Sequence, residues 1–205
     1  MSTLRFSSKS KSKSKCETGA YLMRVNKETA QKNRASVVKA AAQLFREHGF
    51  DGIGISSLMK EAGLTNGAFY KQFDSKDSLA LEATEFALEQ NREAWRDVLE
   101  KADGTALEAF REWYLSNEHI RHRGHGCAFS TLATEAPRRG VDTQDEFANA
   151  IEKSLDLLSN FDPMTRAESL KMICTLVGAL TLARAVGDNP LKSEIVAAVT
   201  DKKPN

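Results

Sequence analysis

The sequence predicts an all-α protein, and three observations lead to that prediction. Apolar residues recur at intervals of three and four, the spacing of one helix face, and no strand-like alternation persists anywhere. All four prolines lie after residue 130, between the predicted helices. The chain has 205 residues of which 41% are hydrophobic, enough to fill the core of one or two helical domains.

Residues 36–79 contain the clearest pattern, three short helices separated by two turns that contain glycine. The first helix has an apolar stripe over residues 37–45 and ends near Gly49, because glycine readily adopts the left-handed conformation that stops a helix. The second helix is predicted over about residues 55–62, and a tight turn at Gly63 leads into the third. This layout is typical of a helix-turn-helix module, which places one helix in the major groove of DNA.

The third helix is predicted to begin at Thr65, whose hydroxyl would cap it. Phe69 and Phe73 are four residues apart and would anchor this helix on the other two. Ser75 is the predicted cap of the fourth helix. The outer faces of the third helix are left with hydrogen-bonding groups and one cation, from Asn66, Gly67, Tyr70, Lys71 and Gln72.

The same stretch resembles the TetR family of transcriptional repressors over roughly residues 33–81. The resemblance rests on Ala41, Ala42, Leu44, Phe45, Gly49, Phe50, Ile55, Ala62, Gly63, Leu64, Gly67, Phe69, Tyr70, Phe73, Ser75, Lys76 and Leu79. It implies an N-terminal helix-turn-helix DNA-binding domain of three helices over residues 26–80. It also implies a C-terminal helical domain over residues 81–205 that senses a ligand and dimerises.

The resemblance further implies which side chains contact double-stranded operator DNA. Gly67 matches the place where the helix backbone approaches DNA, and Gln72 a position that reads a base. Tyr70, Lys71 and Lys76 match positions that contact phosphates. The full set of implied contacts is Ser56, Thr65, Asn66, Gly67, Tyr70, Lys71, Gln72 and Lys76.

The charge distribution is consistent with a DNA-binding N-terminal half. Residues 1–80 contain 14 Lys or Arg against 7 Asp or Glu, whereas residues 81–205 contain 15 against 21. The net charge of +1 for the whole chain therefore conceals a basic end and an acidic end. A basic face releases counterions from DNA, so we expect the affinity to fall steeply with salt. Such an asymmetry also occurs in proteins that bind no nucleic acid.

Residues 1–25 are predicted to form a disordered basic tail. Residues 7–15 read SSKSKSKSK and contain no apolar face to bury. The tail also lacks the apolar core of about 7–15 residues that a secretory signal needs. Two interpretations remain open. The tail is either an arm that lies along DNA, or an artefact preceding a natural start at Met23.

The last two helices are the predicted dimer interface. The helix predicted over residues 164–186 is apolar on two faces, so it needs one partner within the subunit and another outside it. In the family this helix pair forms a four-helix bundle with its two-fold mate. The alternative is a core contained within one subunit. The interface residues are predicted to be Leu170, Ile173, Val177, Leu180, Leu191, Ile195 and Val199.

The resemblance also implies a cavity among the middle helices, where an unidentified small-molecule inducer binds and shifts the recognition helices off the operator. The alternative for each candidate is ordinary core packing, because no charged group in this region indicates a particular ligand. The candidate lining residues are Phe86, Trp95, Phe110, Trp113, Tyr114, Cys127, Phe129, Leu132 and Phe147.

Three of the four histidines lie close to a cysteine, as His119, His122, His125 and Cys127. This spacing permits zinc ligation, although no distant Cys or His partner is evident and solvated or packed histidines are the alternative. Cys127 also follows a glycine at a predicted helix start, where helix dipoles favour the thiolate. Some TetR-like regulators sense electrophiles or oxidants through a cysteine, and Cys127 is the candidate here. A buried structural thiol is the plainer interpretation.

Motifs for catalysis and for cofactor binding are absent from the sequence, which contains no G-x-S-x-G, G-x-x-x-x-G-K-[ST] or H-E-x-x-H. No apolar run approaches the roughly 20 residues of a membrane span. Three widely spaced cysteines suit a reducing cytoplasm. The sequence therefore predicts a homodimeric TetR-like repressor of a palindromic operator, released by a small molecule or an electrophile. The alternative is a helical ligand- or metal-binding protein that does not act on DNA.

Overall fold

A computed structural model describes residues 13–200, with side chains from residue 27 onward. All regular elements in this part of the chain are helical, which confirms the all-α prediction. Three short 3₁₀ segments, Asn66–Lys71, Arg123–His125 and Ala136–Arg138, lie between the longer helices. The α-helices are α1 Lys13–His48, α2 Ile55–Glu61, α3 Lys76–Glu100, α4 Ala106–Tyr114, α5 Asn117–Arg121, α6 Ala128–Leu132, α7 Val141–Ser159, α8 Arg166–Val186 and α9 Leu191–Thr200.

The first helix begins earlier than the sequence predicts. The backbone of α1 is helical from Lys13, so the expectation of a disordered tail is wrong for residues 13–25. No proline interrupts this stretch, and its Lys, Glu, Ala and Met residues have good helix propensity. A helix nucleated by the packed part of α1 can therefore extend backwards. The remainder of the predicted tail, residues 1–12, lies outside the described residues.

The N-terminal helices pack around a small apolar core. Val37 and Phe45 of α1 and Leu58 and Met59 of α2 are fully or almost fully buried. The turn after α2 has the predicted geometry, because Gly63 has φ +71° and the Leu64 amide donates to the Met59 carbonyl at 2.8 Å. This core fixes the direction in which the following segment leaves α2.

Helix α3 connects the DNA-binding half to the rest of the chain. It begins at the predicted cap, where the Ser75 hydroxyl accepts from the Ser78 amide and Ser78 returns a hydrogen bond to Ser75. One face of α3 is buried along its whole length, from Leu79 to Leu99. The predicted domain boundary at residues 80/81 falls inside this continuous helix. A movement of α3 would therefore be transmitted to both halves.

Helix α8 has 21 residues and is apolar over most of its length. It begins with a capping box between Thr165 and Glu168. Within the described residues it is the one helix long and apolar enough to cross a membrane, a criterion that a core helix also meets. Its inner face, which includes Leu176, Leu180 and Ala183, is buried against the rest of the chain.

Candidate nucleic-acid interface and ligand site

The segment that corresponds to the predicted third helix is a 3₁₀ helix, Asn66–Lys71, which we call the recognition segment. Thr65 precedes it but its side chain makes no capping hydrogen bond, so the predicted cap is wrong. Because the segment is short, apolar anchoring fixes it instead. Phe69 is fully buried, Phe73 is 3% exposed, and their ring centroids are 5.6 Å apart.

The outer face of the recognition segment is exposed to solvent. Tyr70 is 73% exposed even though its ring meets the edge of the buried Phe69 ring at 5.1 Å. Lys76, at the start of α3, is half-buried beside this face. The other predicted DNA contacts that are exposed are Ser56, Thr65, Asn66, Gly67 and Lys71.

Gln72 differs from the other predicted contacts. Its side-chain oxygen Oε1 is buried and has no hydrogen-bond partner. The amide oxygen therefore faces away from the surface on which a base would lie. The prediction that Gln72 reads a base requires its side chain to rotate outward.

Arg34 of α1 holds the recognition segment in place and was missed by the sequence analysis. Its guanidinium donates to the carbonyl of Gln72, pairs with Glu82 of α3, and lies 4.3 Å from the centroid of the Phe73 ring. These partners are 38 to 48 residues away in sequence. Helical periodicity is a local signal, so nothing in it could have identified this arginine.

A second arginine of α1, Arg46, connects the DNA-binding half to the loop before α6. It is 5% exposed and donates to the Gly126 carbonyl at 3.1 Å and to Gln90 Oε1 at 2.9 Å. Burial lowers the pKa of Arg46 to about 10, and the guanidinium still remains charged at neutral pH. The end of α1 is thus tied by a buried cation to both α3 and the loop.

The segment between α6 and α7 also bonds to the N-terminal half. Arg139 donates to Asp77 at 2.9 Å and to Asp51 at 2.5 Å, and its guanidinium lies 5.0 Å from the Phe50 ring centroid. Hydrogen bonding to Arg139 lowers the pKa of Asp51. The Phe50 amide donates to Glu135 Oε2 at 3.1 Å. A movement of one half relative to the other would therefore break these bonds.

Most of the predicted ligand-pocket residues pack against one another. The ring of Trp95 contacts those of Phe110, Tyr114 and Phe129 at centroid distances of 5.0, 5.8 and 6.0 Å, and we call these four residues the aromatic cluster. The cluster is buried, with Leu132, Cys127 and Phe147 also in the core and Phe86 and Trp113 half-buried. A groove of about 570 Å³ lies between α3 and α4 and is lined in part by Trp113.

Cys127 is completely buried, and burial raises the pKa of its thiol. The structure agrees with the plainer interpretation, a buried structural thiol, and not with a thiolate favoured by the helix start, because desolvation outweighs the dipole of the short helix α6. The Tyr114 hydroxyl donates to Cys127 Sγ at 2.9 Å.

His119 is held as a neutral ring in the same region. The Cys127 amide donates to His119 Nε2 at 3.0 Å, so Nε2 is an acceptor and the ring proton is on Nδ1, which donates to the Tyr114 carbonyl at 2.7 Å. Burial lowers the pKa of His119 to about 4. His122 and His125 are exposed. No group of three or more potential metal ligands gathers in the part of the chain with described side chains, so the zinc arrangement that the spacing permits is not formed there.

The structure divides the predicted dimer-interface residues between the interior and the surface of the subunit. Ile173 is 6% exposed and Leu180 is fully buried, so both pack inside the subunit. Leu170, Val177, Ile195 and Val199 are half-buried. The exposed apolar positions are Leu191, as predicted, and Leu182, which the sequence analysis did not include. Periodicity could not distinguish the two faces of α8, because both are apolar.

An exposed polar face on a short helix after a glycine turn, mounted on an all-α body, defines a helix-turn-helix regulator. The family model for bacterial regulatory proteins of the tetR family matches residues 37–83. LmrA of Bacillus subtilis, an HTH-type transcriptional regulator, is 32% identical over 179 residues, which cover 82% of this chain and 95% of LmrA. The chain belongs to the TetR family of transcriptional regulators, which act by binding DNA and are not enzymes.

Other proteins are similar to this chain in sequence or in fold. The HTH-type transcriptional repressor NemR of Escherichia coli is 25% identical over 132 residues, 63% of this chain and 64% of NemR, so the chain matches just under two thirds of that repressor. The crystal structure of reduced NemR has a TM-score of 0.67 at 21% identity, covering 82% and 95% of the two chains. A TetR regulator from Chloroflexus aurantiacus has a TM-score of 0.70 at 24% identity, covering 85% and 95%.

Proposed function

We propose that this protein is a homodimeric repressor that binds a palindromic operator and is released from it by a small molecule. The observation that carries the proposal is the recognition segment, whose buried Phe69 anchors it while Tyr70 and Lys71 face outward. The name of the relative NemR, a transcriptional repressor, supports repression as the mode of action. The cytoplasm, where the operator would be, is the expected location.

Dimerisation is supported by the surface of the last two helices. Leu182 is 56% exposed and Leu191 is 45% exposed, and each is a large apolar side chain without cover within the subunit. A two-fold partner that packs on the outer faces of α8 and α9 would bury both. Such a partner would also place two recognition segments on successive half-sites of a palindrome.

Release by a small molecule fits the structure better than release by an electrophile. Cys127 is completely buried and its thiol pKa is raised by burial, so little reactive thiolate is present in the folded state. An electrophile would reach Cys127 only after the surrounding helices open. A small molecule that separates the aromatic cluster would instead shift the loop at Gly126, which Arg46 ties to α1.

A gel shift with DNA flanking the protein's own gene tests DNA binding. We expect a saturable shift that weakens strongly between roughly 50 and 200 mM salt, because phosphate contacts release counterions. The double variant Tyr70→Ala/Lys71→Ala should bind at least about tenfold more weakly, since two phosphate contacts are lost. Circular dichroism should show unchanged helix content, because both side chains are exposed.

The control for this experiment is Lys153→Ala, which removes an exposed cation of α7 in the C-terminal half. It should bind like the wild-type protein. If the protein showed neither a specific shift nor salt-sensitive binding to unrelated DNA, the proposed function would be excluded.

Two glycines of the helix-turn-helix provide a matched test of whether DNA lies close to the backbone at Gly67. A Cβ at Gly67 would meet no atom within 4 Å and its φ is ordinary, so Gly67→Ala should leave stability unchanged or raise it by up to about 1 kcal/mol. The same methyl would stand between the helix backbone and DNA, so we expect operator affinity to fall about tenfold.

Gly63→Ala should instead lower the stability and leave operator affinity unchanged. Its φ of +71° is unfavourable for alanine, so we expect a loss of about 1–2 kcal/mol in unfolding free energy. Operator affinity per folded molecule should be retained. Urea unfolding and gel shifts on both variants check the pair, and unchanged DNA binding in Gly67→Ala would show that DNA does not approach this backbone.

A further inference from the structure

Two buried N–H donors on α3 lack a hydrogen-bond acceptor. They are Nδ2 of Asn91 and the indole Nε1 of Trp95, two of three buried side-chain polar atoms without a partner in the described part of the chain. Asn91 is 6% exposed and Trp95 is 1% exposed, so bulk water does not satisfy them. Buried polar groups in folded proteins are almost always paired, and each exception calls for an explanation.

The two donors belong to the same face of one helix. Asn91 and Trp95 are four residues apart in α3, so their side chains are neighbours one turn apart. Both residues are on the buried face that α3 turns towards the C-terminal core. One molecule with oxygen acceptors is therefore able to reach both donors.

The side chains in ring contact with Trp95 are aromatic and uncharged. Trp95 is in ring contact with Phe110, Tyr114 and Phe129 at 5.0 to 6.0 Å between centroids. An apolar aromatic surface favours a flat ligand that stacks on it or meets it edge to face.

Two arginines of this region have protein partners. Arg46 donates to the Ala42 and Gly126 carbonyls and to Gln90 Oε1. Arg184 donates to the His119 and Ile120 carbonyls and to Ser130 Oγ. Each guanidinium uses three of its five N–H donors in these bonds, so they do not decide the charge of the ligand. The aromatic cluster itself carries no charge, and a charged ligand buried there would lose its hydration, so the cluster favours a neutral ligand.

Space for a ligand adjoins the aromatic cluster. The groove of about 570 Å³ between α3 and α4 is lined by Trp113 and also by the exposed charged residues Asp97, Lys101 and Asp103. The Trp113 ring stacks on Phe110 at 6.1 Å, and Phe110 contacts Trp95 at 5.0 Å. The volume is within the range of small-molecule sites. A ligand that enters between these rings would reach the donors by displacing Phe110.

We propose that Asn91 and Trp95 form the polar end of the inducer site, and that this site selects neutral aromatic molecules with an acceptor oxygen, such as aromatic ketones. The ketone oxygen has two lone pairs and accepts from one or both donors while its ring joins the aromatic cluster. This inference rests on the proposed release by a small molecule and names the chemical class of that molecule.

The test uses acetophenone and ethylbenzene, which share a ring and nearly the same shape but differ in the carbonyl. The chain has only two tryptophans, Trp95 and Trp113, so a ¹H–¹⁵N spectrum shows two indole N–H signals, and Trp113→Phe assigns them. We expect acetophenone to move the Trp95 indole signal downfield, as hydrogen bonding does, with a much smaller change at Trp113. Ethylbenzene at the same concentration should bind at least about tenfold more weakly.

The variant Asn91→Leu removes one donor and keeps the side-chain size. We expect it to lose most of the preference for acetophenone over ethylbenzene, whereas Asn117→Leu, at an exposed position of α5, should keep it. Equal binding of the two compounds to the wild-type protein would overturn the proposal, and so would the absence of any effect on the Trp95 signal. Since neither spectrum involves DNA, failure here with an intact gel shift would reject the ligand class and leave the proposed DNA binding standing.

Discussion

Replacement of Phe69 by alanine is expected to lower the free energy of unfolding by about 3–5 kcal/mol, the usual cost of truncating a buried phenylalanine. Phe69 is fully buried, and its ring contacts Phe73 and Tyr70 at 5.6 and 5.1 Å. The recognition segment is a short 3₁₀ helix without a side-chain cap, so little else holds it. DNA binding should therefore be lost together with stability. Urea unfolding and a gel shift measure the two effects.

The neighbouring residue provides the matched control for this variant. Tyr70 is 73% exposed, so Tyr70→Ala should change stability by no more than about 0.5 kcal/mol. It should nevertheless weaken operator binding. If Phe69→Ala were as stable as the wild-type protein, the recognition segment would not depend on its apolar anchor, and the packing described here would be wrong at this point.

Acidification is expected to destabilise the protein through His119. Its pKa in the folded state is lowered to about 4 from an ordinary 6.5, because burial disfavours the charged ring. Between these values the unfolded chain binds a proton that the folded chain does not, so stability falls as the pH drops below 6.5 and the loss is complete near pH 4. From about pH 7.5 to about pH 5 the contribution of this group is a loss of roughly 2 kcal/mol.

Urea unfolding at these two pH values measures the loss, and glutamine substitutions identify its source. His119→Gln should flatten the pH dependence because the titrating group is gone. His122→Gln should leave it unchanged, since His122 is exposed. A pH dependence that survives in His119→Gln would show that another group causes it.

The helix-turn-helix was predictable because its signals are local. The turn at Gly63, the cap at Ser75 and the anchors Phe69 and Phe73 are each defined by residues within a few positions of one another, and the structure has all of them. Local sequence signals were nevertheless insufficient for two features of the helix-turn-helix. The Thr65 cap and the α-helical form of the recognition segment were wrong, because cap geometry depends on how the segment packs on α1 and α2.

The dimer surface shows why periodicity was insufficient. Both faces of α8 are apolar in sequence, and only the packing of α8 in the folded chain shows that Ile173 and Leu180 face inward while Leu182 faces outward. The same reason explains Cys127. Its sequence position left a reactive thiolate and a buried structural thiol open, and the surrounding helices decide for the second, because they bury the thiol completely and raise its pKa.

By itself the sequence determined the all-α class and the position of the DNA-binding module, because these depend on spacing between near neighbours, and its motifs carried the resemblance to the TetR family. Only the tertiary structure decided which charges are buried and which polar groups lack partners. Arg34, Arg46 and Arg139 bind residues 38 to 88 positions away, and the unpaired donors of Asn91 and Trp95 exist only where α3 meets the aromatic cluster. Burial and hydrogen bonding between distant segments are properties of the folded chain, and no local pattern encodes them.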